Sequence, residues 1–426
     1  MAASLAAPCS VSAAEKTTLT FWHAMGGTNG EVLQQIVDDF NASQDEIEIK
    51  AEYQGTYDDT ITKLKAAMQS DSGLPDVCQM YDVGTKFMYD SGAVIPVEDK
   101  FESTGYDKSS VMEVISSYYT VDGKQYAMPF NVSTPMLYYN KDVFEAAGLD
   151  PETPPTTYDE VLEDAKKIVE SGAAPVGYSQ AIYGWFFEQQ LAGLGVTYGN
   201  NDNGRKEAVT AVDFDSNGGG LKVFDMWKKL YDSGYFEDYG TTTADTQTAF
   251  FSGQVGMIIE STAILKNAVD SSPFEVGTGY LPRIEQNDEG GVIIGGGSLW
   301  LTDTGNEANE DAAWKFIEYI TTPDVQAKWS MGTGYFAINE KAYETEDMKA
   351  YLKENPNFET AINQLKDSPV NCNTAGVLSG VQTEARLTFN EIMPQVYDGK
   401  LTTQDAVDQL AVSVNKAIEN YNESIK

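Results

Sequence analysis

Apolar residues along the chain fall into alternating blocks of period two and period three to four. Positions 19–22 read as a first strand, and the 26–30 segment GGTNG as a turn. Leu33, Ile36, Val37 and Phe40 then recur at helical spacing. Ile47, Ile49, Ala51 and Tyr53 alternate with polar residues, which is strand periodicity. Ile61, Leu64, Ala67 and Met68 return to the helical period, and 77–81 is a short apolar strand. Strand-helix-strand-helix-strand order predicts an α/β unit with a largely parallel sheet. A second unit starts near Tyr126. It has a strand at 136–139, a short helix over 141–147 ended by Gly148, and a rigid turn at 151–155. Thr157 then precedes a helix whose apolar face is Val161, Leu162, Ala165, Ile168 and Val169, with Gly172 at the left-handed cap. The chain is expected back in the first unit between Tyr280 and Trp300, followed by helices near 308–321 and 323–331 and a helical C-terminal region. Several crossings between two units, rather than one linker, are the mark of a hinge.

A length of 426 residues suits two domains better than one core. No run of 18 apolar residues occurs, so no segment is expected to span a membrane. The charge of −37 argues against nucleic acid, whose phosphates need a basic face. With His23 the single histidine, a Ser-His-Asp triad or a multi-His metal site has little to draw on. No cofactor or metal is expected, nor is the chain read as an enzyme. Carboxylate pairing carries no information among 65 acidic residues. The cysteines Cys9, Cys78 and Cys372 lack metal-like spacing. Cys78 reads as a buried thiol, with a Cys78–Cys372 disulfide as the open alternative. Residues 1–16 read as the flexible remnant of an export signal, with VSAA at 11–14 like a signal-peptidase site and Cys9 a candidate for lipidation.

The glycine-rich segment 290–298, GGVIIGGGS, fits neither nucleotide-binding fingerprint. It reads as a sharp turn or as backbone that a ligand approaches closely. Phe21-Trp22-His23 and Tyr183-Gly184-Trp185 are candidate aromatic platforms, weighed against ordinary packing. Arg386 stands in a helix-like run over 380–393 and is one of only three arginines, with Arg205 and Arg283. Its fork suits a carboxylate or phosphate. A structural pair with Glu384 or another carboxylate fits equally well.

Segments FWHAMGG (21–27), YQGTYDD (53–59), QMYDVGT (79–85), MPFNVSTPMLYYNKDVFEAAGLDPETPP (128–155), YGW (183–185), IIGGGSLW (293–300) and GTGYFAIN (332–339) give the chain a resemblance to extracellular solute-binding proteins of ATP-driven (ABC) importers. It most resembles the branch that binds glycerol-3-phosphate and glycerophosphodiesters such as glycerophosphocholine. The resemblance implies a two-lobed, periplasmic-binding-protein-like α/β fold with several hinge crossings. The first lobe would hold 17–129 and 285–334, and the second 130–284 and 335–426. It implies capture of a small polar solute by hinge closure, delivery to a membrane permease with ATPase subunits, and a monomer on the periplasmic or extracellular side of the membrane. The ligand set carried over is Tyr57, Asp82, Ser133, Trp185, Ser261, Gly297, Tyr335 and Arg386. Ile182 replaces a second tryptophan found in some members, which biases the reading toward glycerophosphodiesters. An oligosaccharide is the alternative ligand, with Trp185 and Tyr57 stacking on sugar rings.

Overall fold

Alternation at the start of the chain resolves into β1 (Thr17–His23), where Leu19, Phe21 and His23 turn inward. The computed structural model describes residues 16–70 and 73–426. The export-signal and Cys9 readings lie outside the described residues. The other strands are β2 (Ile47–Tyr53), β3 (Val77–Tyr81), β4 (Val94–Ile95), β5 (Thr120–Val121), β6 (Lys124–Gln125), β7 (Met128–Ser133), β8 (Pro135–Asn140), β9 (Val176–Ser179), β10 (Val255–Ser261), β11 (Val276–Gly279) and β12 (Gly295–Thr302).

They build two main sheets and a small β5–β6 hairpin. The first sheet has the order β2-β1-β3-β12-β4, with β7 also paired to β12. β1 runs parallel to β2 and β3, but β12 is antiparallel to β3, β4 and β7. The sheet is therefore mixed rather than largely parallel. Its later strand enters from far along the chain and runs against β3, a direction that local periodicity does not encode. The second sheet has the order β11-β8-β10-β9.

The helix Gly27–Ser43 buries Leu33, Ile36, Val37 and Phe40, the face its spacing predicts. The helix Tyr158–Ser171 opens with a capping box. Thr157 accepts from the Glu160 amide, and the Glu160 carboxylate accepts from the Thr157 amide, so two orphan donors are satisfied. It closes on Gly172, whose φ of 75° a side chain would resist. Strand β8 shows the period of two directly. Met136 and Tyr138 join the core shared with the first sheet, and Leu137 and Tyr139 the core under the opposite face.

Thr134 alone separates β7 from β8, so the chain first passes between sheets there. The expected 129/130 boundary would cut β7, which pairs with β12 in the first sheet, and the expected 334/335 boundary would part Tyr335 and Phe336 from the first-sheet core they pack in. A second passage lies between β11 and β12. Gln364 ties the two passages together: its Nε2 donates to the Pro135 carbonyl at 2.8 Å, and its Oε1 accepts from the Leu281 amide. The helix Pro323–Thr333 packs on Gly27–Ser43 and on Leu265–Ser271. Helices Gln382–Tyr397 and Thr403–Ser424 then pack on each other beside the second sheet. Cys78 and Cys372 are both free thiols. No helix among the described residues is long and apolar enough to cross a membrane.

Candidate functional site

Arg386 projects from the helix Gln382–Tyr397 into the seam between the lobes and is 8% exposed. Its Nε donates to Oε1 of Glu188 and its Nη2 to Oε2, both at 2.7 Å. Nη2 also donates to Oδ2 of Asp82 at 2.7 Å. Glu188 lies on the helix Gly184–Gly193 of the same lobe, whereas Asp82 follows β3 in the other. Burial opposes the charge of Arg386, but Asp82 and Glu188 override it and hold the guanidinium protonated. Burial pushes the Glu188 carboxyl up, and Arg386 pulls against that shift. Gln382 Nε2 donates to Glu188 Oε1 at 3.0 Å.

Of the two readings of Arg386, the pair with a carboxylate is the one the structure shows. The arginine faces the other lobe, but as one cation between two carboxylates rather than as a free fork. The structural partner is Glu188 and not Glu384, because the Glu188 helix packs directly on the arginine helix.

The first-lobe wall is aromatic and amide-rich. Tyr57 opens the helix Tyr57–Met68, which Thr56 and Asp59 cap reciprocally. Its ring stacks on Tyr81 with centroids 5.1 Å apart and planes 7° apart. Asn131 Nδ2 donates to the Tyr57 hydroxyl at 2.7 Å, and Gln79 Nε2 donates to Asn131 Oδ1 at 2.6 Å. The Tyr335 hydroxyl joins Tyr57 and Asn131, and burial raises the pKa of both phenols. Tyr335 also stacks on Trp329, with planes 10° apart.

Three glycines of β12 let protein groups approach closely. A Cβ on Gly295 would lie 2.7 Å from Trp185 Cζ2, one on Gly296 1.9 Å from the Asn131 carbonyl oxygen, and one on Gly297 2.7 Å from Asn131 Oδ1. The groups that approach these glycines are the protein's own Trp185 and Asn131, where the sequence reading expected a ligand or a sharp turn. Trp185 is buried beside Tyr183 and Phe186, and its Nε1 has no hydrogen-bond partner. Ser133 ends β7 opposite Gly295. Ser261 pairs with Pro135 at the hinge, and its Oγ accepts from the Ala263 amide as a cap.

The structure therefore joins Asp82 to Arg386 directly. It links Tyr57, Gly297 and Tyr335 through Asn131, and sets Trp185 and Ser133 against Gly295. The 21–23 platform is not part of this group. Phe21 and His23 are core residues of the first sheet, and Trp22 Nε1 donates to Glu52 at 2.9 Å. Sequence reasoning missed Asn131, Tyr81, Glu188 and Glu260. One signal existed: Glu188 is the lone ionisable residue in the apolar segment GWFFEQQLAG. Glu260 is buried and accepts from Gln247 Nε2 at 2.9 Å and from the Ser261 amide at 2.6 Å.

Two further contacts close the seam. The Tyr81 hydroxyl meets Thr383 Oγ1 at 2.6 Å, and Tyr421 donates to Asp90 Oδ2 at 2.7 Å. Each joins a first-lobe helix or strand end to a C-terminal helix of the second lobe.

Residues 35–360 match the family model described as bacterial extracellular solute-binding protein. The sn-glycerol-3-phosphate-binding periplasmic protein UgpB of Escherichia coli (strain K12) is 31% identical over 417 residues, covering 96% of this chain and 94% of its own. Among solved structures, UgpB from Mycobacterium tuberculosis in complex with glycerophosphocholine superposes with a TM-score of 0.81 at 20% identity, over 96% of this chain and 100% of that one. The cyclic alpha-maltosyl-1,6-maltose binding protein from Arthrobacter globiformis gives 0.78 at 26% identity, over 95% and 100%.

Proposed function

The chain belongs to the bacterial extracellular solute-binding protein family, and we propose that it captures a glycerophosphodiester or sn-glycerol-3-phosphate for an ABC importer. The observation that supports this reading is the contact of Arg386 with Asp82 from the opposite lobe, which places a buried cation where closure is felt. Bound solute touches both walls and favours the closed state by its differential affinity. In capture, the phosphoryl group takes the place of Asp82 on Nη2 and also meets Nη1. Asp82 turns to the glycerol hydroxyls, and the rings of Tyr57 and Trp185 flank the carbon chain. Ser133, Ser261, Tyr335 and the backbone at Gly297 complete the ligand set. Hydrogen bonds to a charged group contribute roughly 1.5–3 kcal/mol each. The closed monomer, exported across the cytoplasmic membrane, then docks on a permease driven by separate ATPase subunits, with no catalytic step.

A neutral oligosaccharide is the second reading. It is favoured by the two carboxylates that already match Arg386, since a sugar needs hydroxyl partners and rings rather than a free cation. Titration calorimetry with glycerophosphocholine, sn-glycerol-3-phosphate and maltotriose separates the two. Heat with a glycerophosphate ligand that is lost in Arg386→Ala supports the main reading. Heat with maltotriose alone overturns it.

A further inference from the structure

Within the proposed capture function, we infer that Glu188 sets the charge the cleft accepts: it matches Arg386 inside one lobe and so selects solutes of no net charge over a phosphate monoester dianion. A guanidinium has five N–H donors. Glu188 occupies the Nε donor and one on Nη2, and Asp82 occupies the other on Nη2. Glu188 and Arg386 share a lobe, with their helices packed together, so their pair persists when the lobes part. Asp82 belongs to the other wall and leaves on opening.

A solute entering the cleft thus meets, on the second-lobe wall, a neutral pair whose Nη1–Nη2 edge is free. On the first-lobe wall it meets a carboxylate, with Asp58 close behind at the Tyr81 hydroxyl, 2.9 Å away. The buried Glu260 has no cation among its hydrogen-bond partners. Counting Arg386 as +1 and Asp82 and Glu188 as −1 each, the direct cluster sums to −1. A zwitterionic phosphodiester or a sugar leaves that sum unchanged. A monoester, carrying about −1.5 to −2 at neutral pH, adds like charge where water is scarce and charges interact strongly. Removing the charge of Glu188 with little change of shape would leave Arg386 in excess on its own wall and admit the dianion.

The test is calorimetry on the full chain with glycerophosphocholine, sn-glycerol-3-phosphate and maltotriose, in wild type and in Glu188→Gln. The expected result is a gain of about tenfold or more in affinity for sn-glycerol-3-phosphate relative to the neutral or zwitterionic ligand. A second measurement needs no variant. The monoester loses its second charge below about pH 6, so its affinity for wild type should rise from pH 8 to pH 5.5 while that of glycerophosphocholine or maltotriose stays level. Equal wild-type affinity for the monoester and glycerophosphocholine at pH 8, or an unchanged ratio in both experiments, overturns the inference. Maltotriose as the only wild-type ligand would sink the glycerophosphate reading yet leave the inference standing, provided Glu188→Gln gains the monoester. Heat from none of the three in either protein overturns both.

Discussion

Gly184 and Arg386 are in backbone contact: a Cβ on Gly184 would stand 2.5 Å from the Arg386 Cα and 2.9 Å from its carbonyl oxygen. The first turn of the Glu188 helix is thus pressed against the helix that carries the seam arginine, and only a glycine permits that distance. Gly184→Ala must push the two helices apart. Overpacking of this kind costs about 1–3 kcal/mol, and the shift also moves the guanidinium off Asp82. Urea melts should show the loss and calorimetry a weaker ligand. A variant as stable as wild type with unchanged affinity would refute the contact.

Arg386→Ala strands two carboxylates in a buried seam. Breaking a buried pair from one side costs about 3–5 kcal/mol. Adding Glu188→Gln to that variant removes one of the stranded charges and should recover part of the loss. The double-mutant cycle should therefore show strong coupling. Additive effects would mean that the two side chains do not depend on each other.

Burial holds His23 neutral, with its pKa lowered from 6.5 to about 4, while its Nδ1 accepts from the Met25 amide at 3.3 Å. The sign follows from linkage. Between pH 6.5 and 4 the unfolded chain takes up a proton that the folded chain refuses, so stability falls as pH drops through that window and is unaffected above it. The contribution is at most about 3.5 kcal/mol, at roughly 1.4 kcal/mol per pH unit. Melting curves of wild type and His23→Gln should converge as pH falls from 7 to 4.5. Parallel curves would show that the imidazole titrates normally.

The seam contacts of Tyr421 with Asp90 and of Tyr81 with Thr383 join the lobes without supporting either core. Tyr421→Phe combined with Thr383→Val removes both, at about 0.5–1.5 kcal/mol each. Small-angle scattering should report a larger radius of gyration, with the melting temperature nearly unchanged. A radius identical to that of wild type would show that these bonds do not hold the seam.

Elements with a single buried face were legible in the sequence. The helix Gly27–Ser43 and strands β1 and β2 carry clean periodicities because each has one wet side. Strand β10 did not stand out: Val255 to Glu260 are all buried, so no alternation remains. The direction of β12 was likewise unreadable, since strand order along the chain is silent on which way a distant strand runs. The site divides similarly. Arg386 was noticed as one of three arginines and Trp185 as part of a candidate aromatic platform, and Tyr57, Asp82 and Tyr335 came through the family resemblance. Glu188 went unnoticed because its meaning depends on a helix almost two hundred residues later in the chain.

The order of strands also bears on how the polypeptide acquires its shape. All four strands of the second sheet are present once Gly279 has emerged, whereas β3 waits for residues 295–302 to cover its open side. The strands of the second sheet can therefore pair before the first sheet is complete, although the helices that finish their core come only after residue 380, and a fragment stopped near residue 290 would expose an unpaired β3 edge to other molecules. Pairing partners so remote in sequence make for slow closure of the first sheet, which leaves time for a chaperone to hold the chain unfolded.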